Sequence, residues 1–267
     1  MDLSSIADSK VLNKETNNII FDKFRSTQVV IAGPCAVESE DQIARISSEL
    51  KSRGIKFIRG GAFKPRTSSK TFQGMGEVGI DILRNAADKN GFKIVTEVLD
   101  STQLEQNYNK IDIIQIGSRN MASYGLLKQI GKKTASDNKP VLLKRGFSAT
   151  INELLFAADY IRDEGNPNVL LCLRGIRTFE QIDSYFRFTP DLAAILELKE
   201  RTDLPIIFDP SHSAGDSRFV VQIAKAALHL GANGLLVETH YDPSNARIDG
   251  QQSILPGQLD EILAEIK

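Results

Sequence analysis

Short apolar runs alternate with amphipathic segments along most of this chain. Each run is rich in β-branched residues, and each is followed by a segment whose apolar residues have helical spacing. The eight runs are "QVVIAG" (28–33), "KFIRGG" (56–61), "KIVTEV" (93–98), "DIIQIG" (112–117), "PVLLKRG" (140–146), "VLLCLRG" (169–175), "PIIFDP" (205–210) and "GLLVET" (234–239). Continuous apolar character bounded by turn residues is typical of strands buried on both faces.

The segments between and after these runs predict eight helices. They cover residues 40–53, 77–90, 101–108, 122–134, 149–163, 191–201, 216–230 and 256–266. Eight strand–helix units in order favour a (β/α)8 TIM barrel over a doubly wound sheet, which commonly has fewer strands. We therefore predict an α/β protein with one barrel domain over residues 27–267. Residues 1–26 form a polar N-terminal extension, expected either to cap the N-terminal rim or to join a subunit interface.

Composition narrows the function classes. The formal net charge of the 267 residues is −1, so no overall field favours nucleic acid or an anionic membrane. Cys35 and Cys172 are too few for a disulfide framework and indicate a reducing compartment. The first residues lack the apolar stretch of a secretory signal, and no run is long enough to span a membrane. We expect a soluble cytoplasmic protein, with Cys172 in its core.

The predicted barrel places chemistry at one rim. Active sites of this fold lie in the loops that follow the C-terminal ends of the strands. Nearly every run delivers an ionisable or metal-binding side chain there, namely Cys35, Arg59, Lys64, Glu97, Arg119, Lys144, Arg145, Arg174, Asp209, His212 and Glu238. Five long cations in one mouth repel each other unless an anion lies among them. The pattern predicts a site for more than one phosphate or carboxylate group, although each charge taken singly is also typical of a strand end that meets water.

The second of these loops is strongly basic. Its sequence, "RGGAFKPRTSSKTFQG" (59–74), contains no acidic side chain, and its glycines and proline exclude a regular helix or strand. Arginine, lysine, hydroxyl groups and backbone N–H groups are the donors that bind phosphate. We expect this loop to hold an anion.

Four further residues predict a metal site. Cys35, His212, Glu238 and Asp249 lie on three different loops, which become neighbours when the first strand meets the last two. A thiolate, an imidazole and two carboxylates suit a divalent Mn2+, Fe2+, Co2+ or Zn2+ ion. The spacing alone is not a metal motif, and a buried structural cysteine or histidine is the alternative for Cys35 and His212.

The stretch "GMGEVG" (74–79) matches the glycine pattern of dinucleotide-binding sites. That motif follows directly on a strand in genuine sites, whereas polar loop residues precede it here. We expect these glycines to begin a helix whose N-terminal amides can assist an anion.

Several of these motifs together resemble one enzyme family. "GPCAVES", "RGGAFKPRTS", "QIGSRNM", "LLKRG", "CLRG", "DPSHSAGD" and "GLLVETHYDP", in this order, are similar to 3-deoxy-D-arabino-heptulosonate 7-phosphate (DAHP) synthase of the type I beta branch. The resemblance covers residues 27–265 and implies a (β/α)8 barrel. It also implies that phosphoenolpyruvate condenses with erythrose 4-phosphate and water, the first step of the shikimate pathway toward aromatic amino acids.

The resemblance also implies roles for individual residues. The metal ligands would be Cys35, His212, Glu238 and Asp249. Substrate binding would fall to Arg59, Lys64, Arg66, Thr67, Ser68, Arg119, Lys144 and Arg174, with Arg66, Thr67 and Ser68 at the erythrose phosphate. Lys64 would donate a proton or stabilise charge at the aldehyde oxygen, so that Lys64, Cys35 and His212 form the catalytic group. A homotetramer or homodimer is the implied assembly.

Three alternatives remain at this stage. The sister enzyme 3-deoxy-D-manno-octulosonate 8-phosphate synthase uses arabinose 5-phosphate and usually carries K-A-N-R-S where this chain has "KPRTS". A non-catalytic sensor of phosphorylated ligands would keep the cations but not the metal set. A Schiff-base aldolase would need a lysine apart from other cations, whereas Lys144 borders Arg145. Because only 26 residues precede the barrel, we expect no direct inhibition by phenylalanine or tyrosine.

Overall fold

The computed structural model describes residues 3–65, 68, 70–179 and 188–266, with side chains from residue 13 onward. Eight parallel strands close into a barrel in sequence order. They are β1 (Val29–Gly33), β2 (Phe57–Arg59), β3 (Lys93–Glu97), β4 (Ile113–Ile116), β5 (Val141–Lys144), β6 (Val169–Leu173), β7 (Ile206–Phe208) and β8 (Gly234–Glu238). The barrel closes between β1 and β8, whose register pairs Val29 with Gly234 and Gly33 with Glu238. The predicted α/β barrel and all eight of its strands are confirmed.

Helices cover the outside of the barrel. In the described residues they are α1 (Leu3–Ser26), α2 (Glu40–Ser52), α3 (Glu77–Asn90), α4 (Ser101–Asn107), α5 (Tyr124–Thr134), α6 (Ile151–Arg162), α7 (Ala193–Arg201), α8 (Pro210–Ala214), α9 (Ser217–His229) and α10 (Leu259–Leu263). Local chemistry fixes several boundaries: Thr150 and Glu153 form a capping box at the start of α6, and Gly91 ends α3 with a left-handed backbone. The predicted helices are all present, whereas α1 and the short α8 were not predicted.

The apolar side chains pack in two layers because successive residues of a strand point to opposite faces. In β1, Val30 and Ala32 face the surrounding helices, and Val29 and Ile31 face the barrel interior. The interior layer also takes one or two side chains from each of the other strands. Cys172 belongs to it and is fully buried, as predicted, and burial raises the pKa of this thiol to about 12.

Helix α1 covers the N-terminal end of the barrel. Its buried side chains Ile20, Phe21 and Phe24 join the interior layer, and the ring of Phe24 lies 5.0 Å from that of Phe57 at the start of β2. Asn18 accepts hydrogen bonds from two asparagine side chains in the turns before β5 and β6. Helix α1 therefore closes the N-terminal end of the barrel, and the C-terminal end remains open for a site.

Candidate active site

A cavity of about 330 Å³ opens at the C-terminal ends of the strands. Its described lining contains the five cations that the sequence predicts at this mouth, Arg59, Lys64, Arg119, Lys144 and Arg174. The lining also includes Ser68, Glu97, His212 and Asp249. The structure thus brings most of the predicted site residues to one place. Arg66 and Thr67, predicted to bind the aldose phosphate, lie outside the described residues.

The four predicted metal ligands converge on one side of this cavity. Cys35 follows β1, His212 lies in α8 directly after β7, Glu238 is the last residue of β8, and Asp249 lies in the loop beyond β8. One donor atom from each side chain lies within 4.8 Å of all the others. Asp249 has a left-handed backbone with φ of 53°, an unusual conformation for a residue with a side chain. The local fold thus bends back to bring this carboxylate to the other three donors.

Glu238 is held from two directions. Its Oε1 accepts a hydrogen bond of 2.5 Å from Nη1 of Arg59, and its Oε2 accepts one of 2.6 Å from Nε2 of Gln252. Burial opposes ionisation of this carboxyl, but the charges of His212 and Arg59 outweigh it and lower the pKa to about 2. The buried carboxylate is therefore ionised and fixed in orientation. Gln252, which the sequence did not single out, supplies one of these two hydrogen bonds.

Asp209 connects the metal-ligand cluster to the cation side. It caps α8 by accepting a hydrogen bond of 2.9 Å from the backbone N–H of His212, and its Oδ2 lies 2.8 Å from Nδ1 of His212. The same Oδ2 forms an ion pair with Lys144. Burial disfavours the charge of Asp209, but His212 and Lys144 hold its pKa well below the usual range. One carboxylate thus orients a candidate metal ligand and a candidate substrate-binding lysine.

Lys64 contacts Cys35 directly. Its Nζ donates hydrogen bonds to the Cys35 carbonyl oxygen at 3.0 Å and to Sγ at 3.1 Å, and Sγ donates to Oδ2 of Asp249 at 3.3 Å. Burial, with Glu238 nearby, raises the pKa of the Cys35 thiol well above its ordinary value. A divalent cation among these carboxylates would offset that effect, because a coordinating thiol is deprotonated by the metal. The donor set of sulfur, nitrogen and two oxygens fits a divalent transition metal.

The opposite wall of the cavity is aromatic and basic. Phe147, in the loop after β5, lies against the guanidinium groups of Arg119 and Arg174 at 5.2 and 4.9 Å. Arg177 and Phe188 line this wall as well, and neither was predicted from the sequence. Arg177 lies three residues after Arg174, just beyond the sixth apolar run. A search for charged residues that extended a few positions past each strand end would have found it.

Two other sequence predictions have clear outcomes. Arg145 follows β5 at the same rim, but its Nη1 lies 2.7 Å from Oδ2 of Asp191. The described lining of the cavity does not include Arg145. In "GMGEVG", Gly76 is the N-terminal cap of α3, which confirms the predicted helix start. None of residues 74–79 belongs to the described lining of the cavity, so their predicted contribution to anion binding remains a prediction.

Comparison with known proteins decides among the enzyme families. The sequence profile of the DAHP synthetase I family matches residues 13–267. A phospho-2-dehydro-3-deoxyheptonate aldolase of Thermotoga maritima is 45% identical over 238 residues, which are 89% of this chain and 68% of that protein. The chain belongs to the DAHP synthetase I family. Its predicted function is thereby confirmed: it is a transferase that condenses phosphoenolpyruvate with erythrose 4-phosphate and water.

Two further similarities are consistent with the family. The crystal structure of a DAHP synthase from Thermotoga maritima superposes with a TM-score of 0.83 at 44% sequence identity, covering 89% of this chain and 68% of that one. A 2-dehydro-3-deoxyphosphooctonate aldolase of Thioalkalivibrio sulfidiphilus is only 27% identical over 256 residues, 89% of this chain and 88% of that protein. The octulosonate alternative is thus the more distant relative.

No helix in the described part of the chain has the length and apolar character to cross a membrane.

Proposed function

We propose that this DAHP synthase is metal-dependent and that Cys35, His212, Glu238 and Asp249 hold a divalent ion, one of Mn2+, Fe2+, Co2+ or Zn2+. The convergence of these four donors beside a cavity lined with cations is the observation that carries the proposal. A divalent ion at this position supplies Lewis acidity toward a carbonyl oxygen. The remaining chemistry falls to the side chains of the chain itself.

The cations bind and orient the two substrates. Arg119, Lys144 and Arg174 bind the phosphate and carboxylate of phosphoenolpyruvate, and Arg59 and Lys64 lie near its reacting end. Arg66, Thr67 and Ser68 take the phosphate of erythrose 4-phosphate, which the position of Ser68 in the cavity lining supports. Holding C3 of phosphoenolpyruvate against the aldehyde carbon turns a bimolecular encounter into an oriented reaction.

Lys64 is the proposed proton donor. Carbon–carbon bond formation leaves negative charge on the former aldehyde oxygen, and Nζ of Lys64 lies beside the metal-ligand cluster, in the cavity lining. Water then adds at C2 of the enolpyruvyl unit, and inorganic phosphate leaves with cleavage of the bond between C2 and oxygen. Burial disfavours the charge of Lys64, but the contact with Cys35 and the charge of Glu238 together outweigh it, so the pKa of this lysine is raised and the donor is protonated at neutral pH.

An assay of phosphoenolpyruvate consumption tests the proposal. Activity should require erythrose 4-phosphate, disappear after exhaustive chelation and return on addition of Mn2+. Arabinose 5-phosphate serves as the matched aldose, because the octonate aldolases are the more distant relatives. Full activity after chelation would contradict the metal role, and binding of phosphorylated ligands without any turnover would favour a sensor. Cys35→Ala should lose metal affinity in a direct titration.

We also propose the cellular setting and assembly. The catalytic domain is residues 27–267, preceded by residues 1–26 as an N-terminal extension, and the protein acts in a reducing cytoplasm. Cys35 and Cys172 support that compartment, because neither forms a disulfide. A homodimer or homotetramer is supported by exposed apolar side chains such as Phe156 on α6 and Leu196 on α7. Light scattering of the purified chain measures the assembly, and a monomer would contradict it.

A further inference from the structure

Two phenylalanine rings form part of the cavity wall above β5 and β6. The rings of Phe147 and Phe188 are tilted by 36° with centroids 5.4 Å apart, and Phe188 is only 5% exposed. Both residues line the cavity. Aromatic side chains in a site that accepts small, highly charged substrates need a reason, because neither substrate offers an apolar group of comparable size.

The rings hold arginines. The guanidinium of Arg174 lies 4.1 Å from the centroid of Phe188, and that of Arg177 lies 5.2 Å from the centroid of Phe147. Arg119 and Arg174 approach the Phe147 ring as well, at 5.2 and 4.9 Å. Three guanidinium groups on one ring repel each other, and the attraction of each to the ring only partly offsets this. The arrangement is complementary to an anion with more than one charge.

Arg177 is fixed in place by its backbone. Its N–H donates to the carbonyl oxygen of Phe147 at 2.6 Å, which ties the loop after β6 to the loop after β5. Directly before it, Ile176 and Thr189 exchange two backbone hydrogen bonds of 3.0 and 2.9 Å. The start of this loop is therefore anchored, and the position of Arg177 follows from the fold.

The charge of Arg177 is available for a ligand. In the described part of the chain, neither Arg119 nor Arg177 forms an ion pair with a carboxylate, whereas Arg145 on the same rim is bound by Asp191 at 2.7 Å. Asp191 thus neutralises the charge of Arg145, whereas Arg119 and Arg177 face the cavity. Arg177 is exposed enough to meet an incoming ligand and still belongs to the cavity lining.

We propose that Arg177 is a further substrate-binding residue and completes, with Arg119 and Arg174, a three-arginine site for the phosphate of phosphoenolpyruvate. Phe147 and Phe188 are positioning residues that set the spacing of the three. The assignment rests on the proposed function and on topology: the arginines follow β4 and β6, whereas the loop that holds Ser68 follows β2, four strands away from β6 and across the closed barrel. The two phosphates are thereby bound at separate parts of the cavity wall.

Steady-state kinetics of Arg177→Ala test this role. We expect KM for phosphoenolpyruvate to rise about tenfold, as for the loss of ~1.4 kcal/mol of binding, with KM for erythrose 4-phosphate nearly unchanged. Phe147→Leu, which keeps apolar volume but removes the aromatic face, should raise the same KM by a smaller factor. Arg162→Ala is the matched control, because Arg162 ends α6 at the other end of the barrel.

Calorimetric titration with inorganic phosphate separates this inference from the proposed function. The affinity of Arg177→Ala for phosphate should fall about tenfold against both wild type and Arg162→Ala, whether or not the enzyme turns over. Unchanged phosphate affinity and unchanged KM for phosphoenolpyruvate would overturn the role of Arg177. A rise confined to KM for erythrose 4-phosphate would assign the residue to the other phosphate and overturn the three-arginine site. Absence of any turnover in wild type, with the phosphate effect intact, would contradict the proposed function alone.

Discussion

Replacing Phe24 by alanine tests whether α1 is part of the barrel. The Phe24 ring is fully buried and lies 5.0 Å from the ring of Phe57, at the end of the barrel opposite the cavity. Truncating such a ring costs about 3–5 kcal/mol, because the transfer free energy is lost and a cavity remains. The better helix propensity of alanine returns ~0.5 kcal/mol. At roughly 2–4 °C per kcal/mol for a chain near this size, Tm should fall by about 5–18 °C.

Urea unfolding and thermal denaturation measure this loss. Ile19→Ala is the matched control, since Ile19 lies on the same helix and is 64% exposed, so its replacement should change the free energy of unfolding by no more than ~0.5 kcal/mol. The folded variant should retain its KM values, because Phe24 and the cavity lie at opposite ends of the strands. A cost below ~1 kcal/mol for Phe24→Ala would refute the packing of α1 into the barrel interior.

Three more predictions concern the site. Gly117→Ala should lower kcat/KM by about 10–100-fold, because a Cβ there would lie 1.9 Å from Oε1 of Glu97 and displace that carboxyl in the cavity wall. Gly125→Ala is the control in the same kinetic assay, because a Cβ at Gly125 meets nothing within 4 Å. Gln252→Ala should weaken metal binding by about 10–100-fold in a calorimetric titration, since Glu238 loses a hydrogen-bond donor that orients it, and unchanged affinity would refute this support. In the chelated protein, the lowered pKa of Glu238 stabilises the fold, and this contribution is complete above pH 4.5 and is lost as the pH falls toward about 2. Urea unfolding across this range should show a decreasing free energy of unfolding in wild type and a weaker pH dependence in Glu238→Gln.

Periodicity was sufficient to predict the barrel. Eight buried strands separated by amphipathic helices leave few alternatives, and the strand ends located by the apolar runs agree with the structure to within a few residues. Helix α1 escaped prediction because residues 1–26 are mostly polar and their apolar residues are only weakly periodic. The side chains that it buries in the barrel, Ile20, Phe21 and Phe24, lie in its last two turns. Their partner is the interior of the closed barrel, a surface that exists only after all eight strands have come together.

The site was predictable wherever a charge stands at a strand end. Cys35, His212, Glu238 and Asp249 were found by that logic together with the family motifs, and the structure brings them within 4.8 Å of one another. Supporting groups could not be found in this way. Gln252 carries no charge, and its partner is known only once the loop beyond β8 has folded back onto Glu238. Such contacts depend on tertiary geometry, which no local pattern encodes.

The contacts of α1 and β1 have a consequence for how the chain folds during its synthesis on the ribosome. Strand β1 completes its pairing only with β8, and Asn18 of α1 accepts its hydrogen bonds from Asn138 and Asn168, which are synthesised much later. At ~5–20 residues per second, the roughly 200 residues between the first and last strands take about 10–40 s to translate. During that interval the apolar end of α1 has no barrel to enter. Helix α1 is thus enclosed only after β8 has been made, and until then its apolar end is a site at which a chaperone can bind.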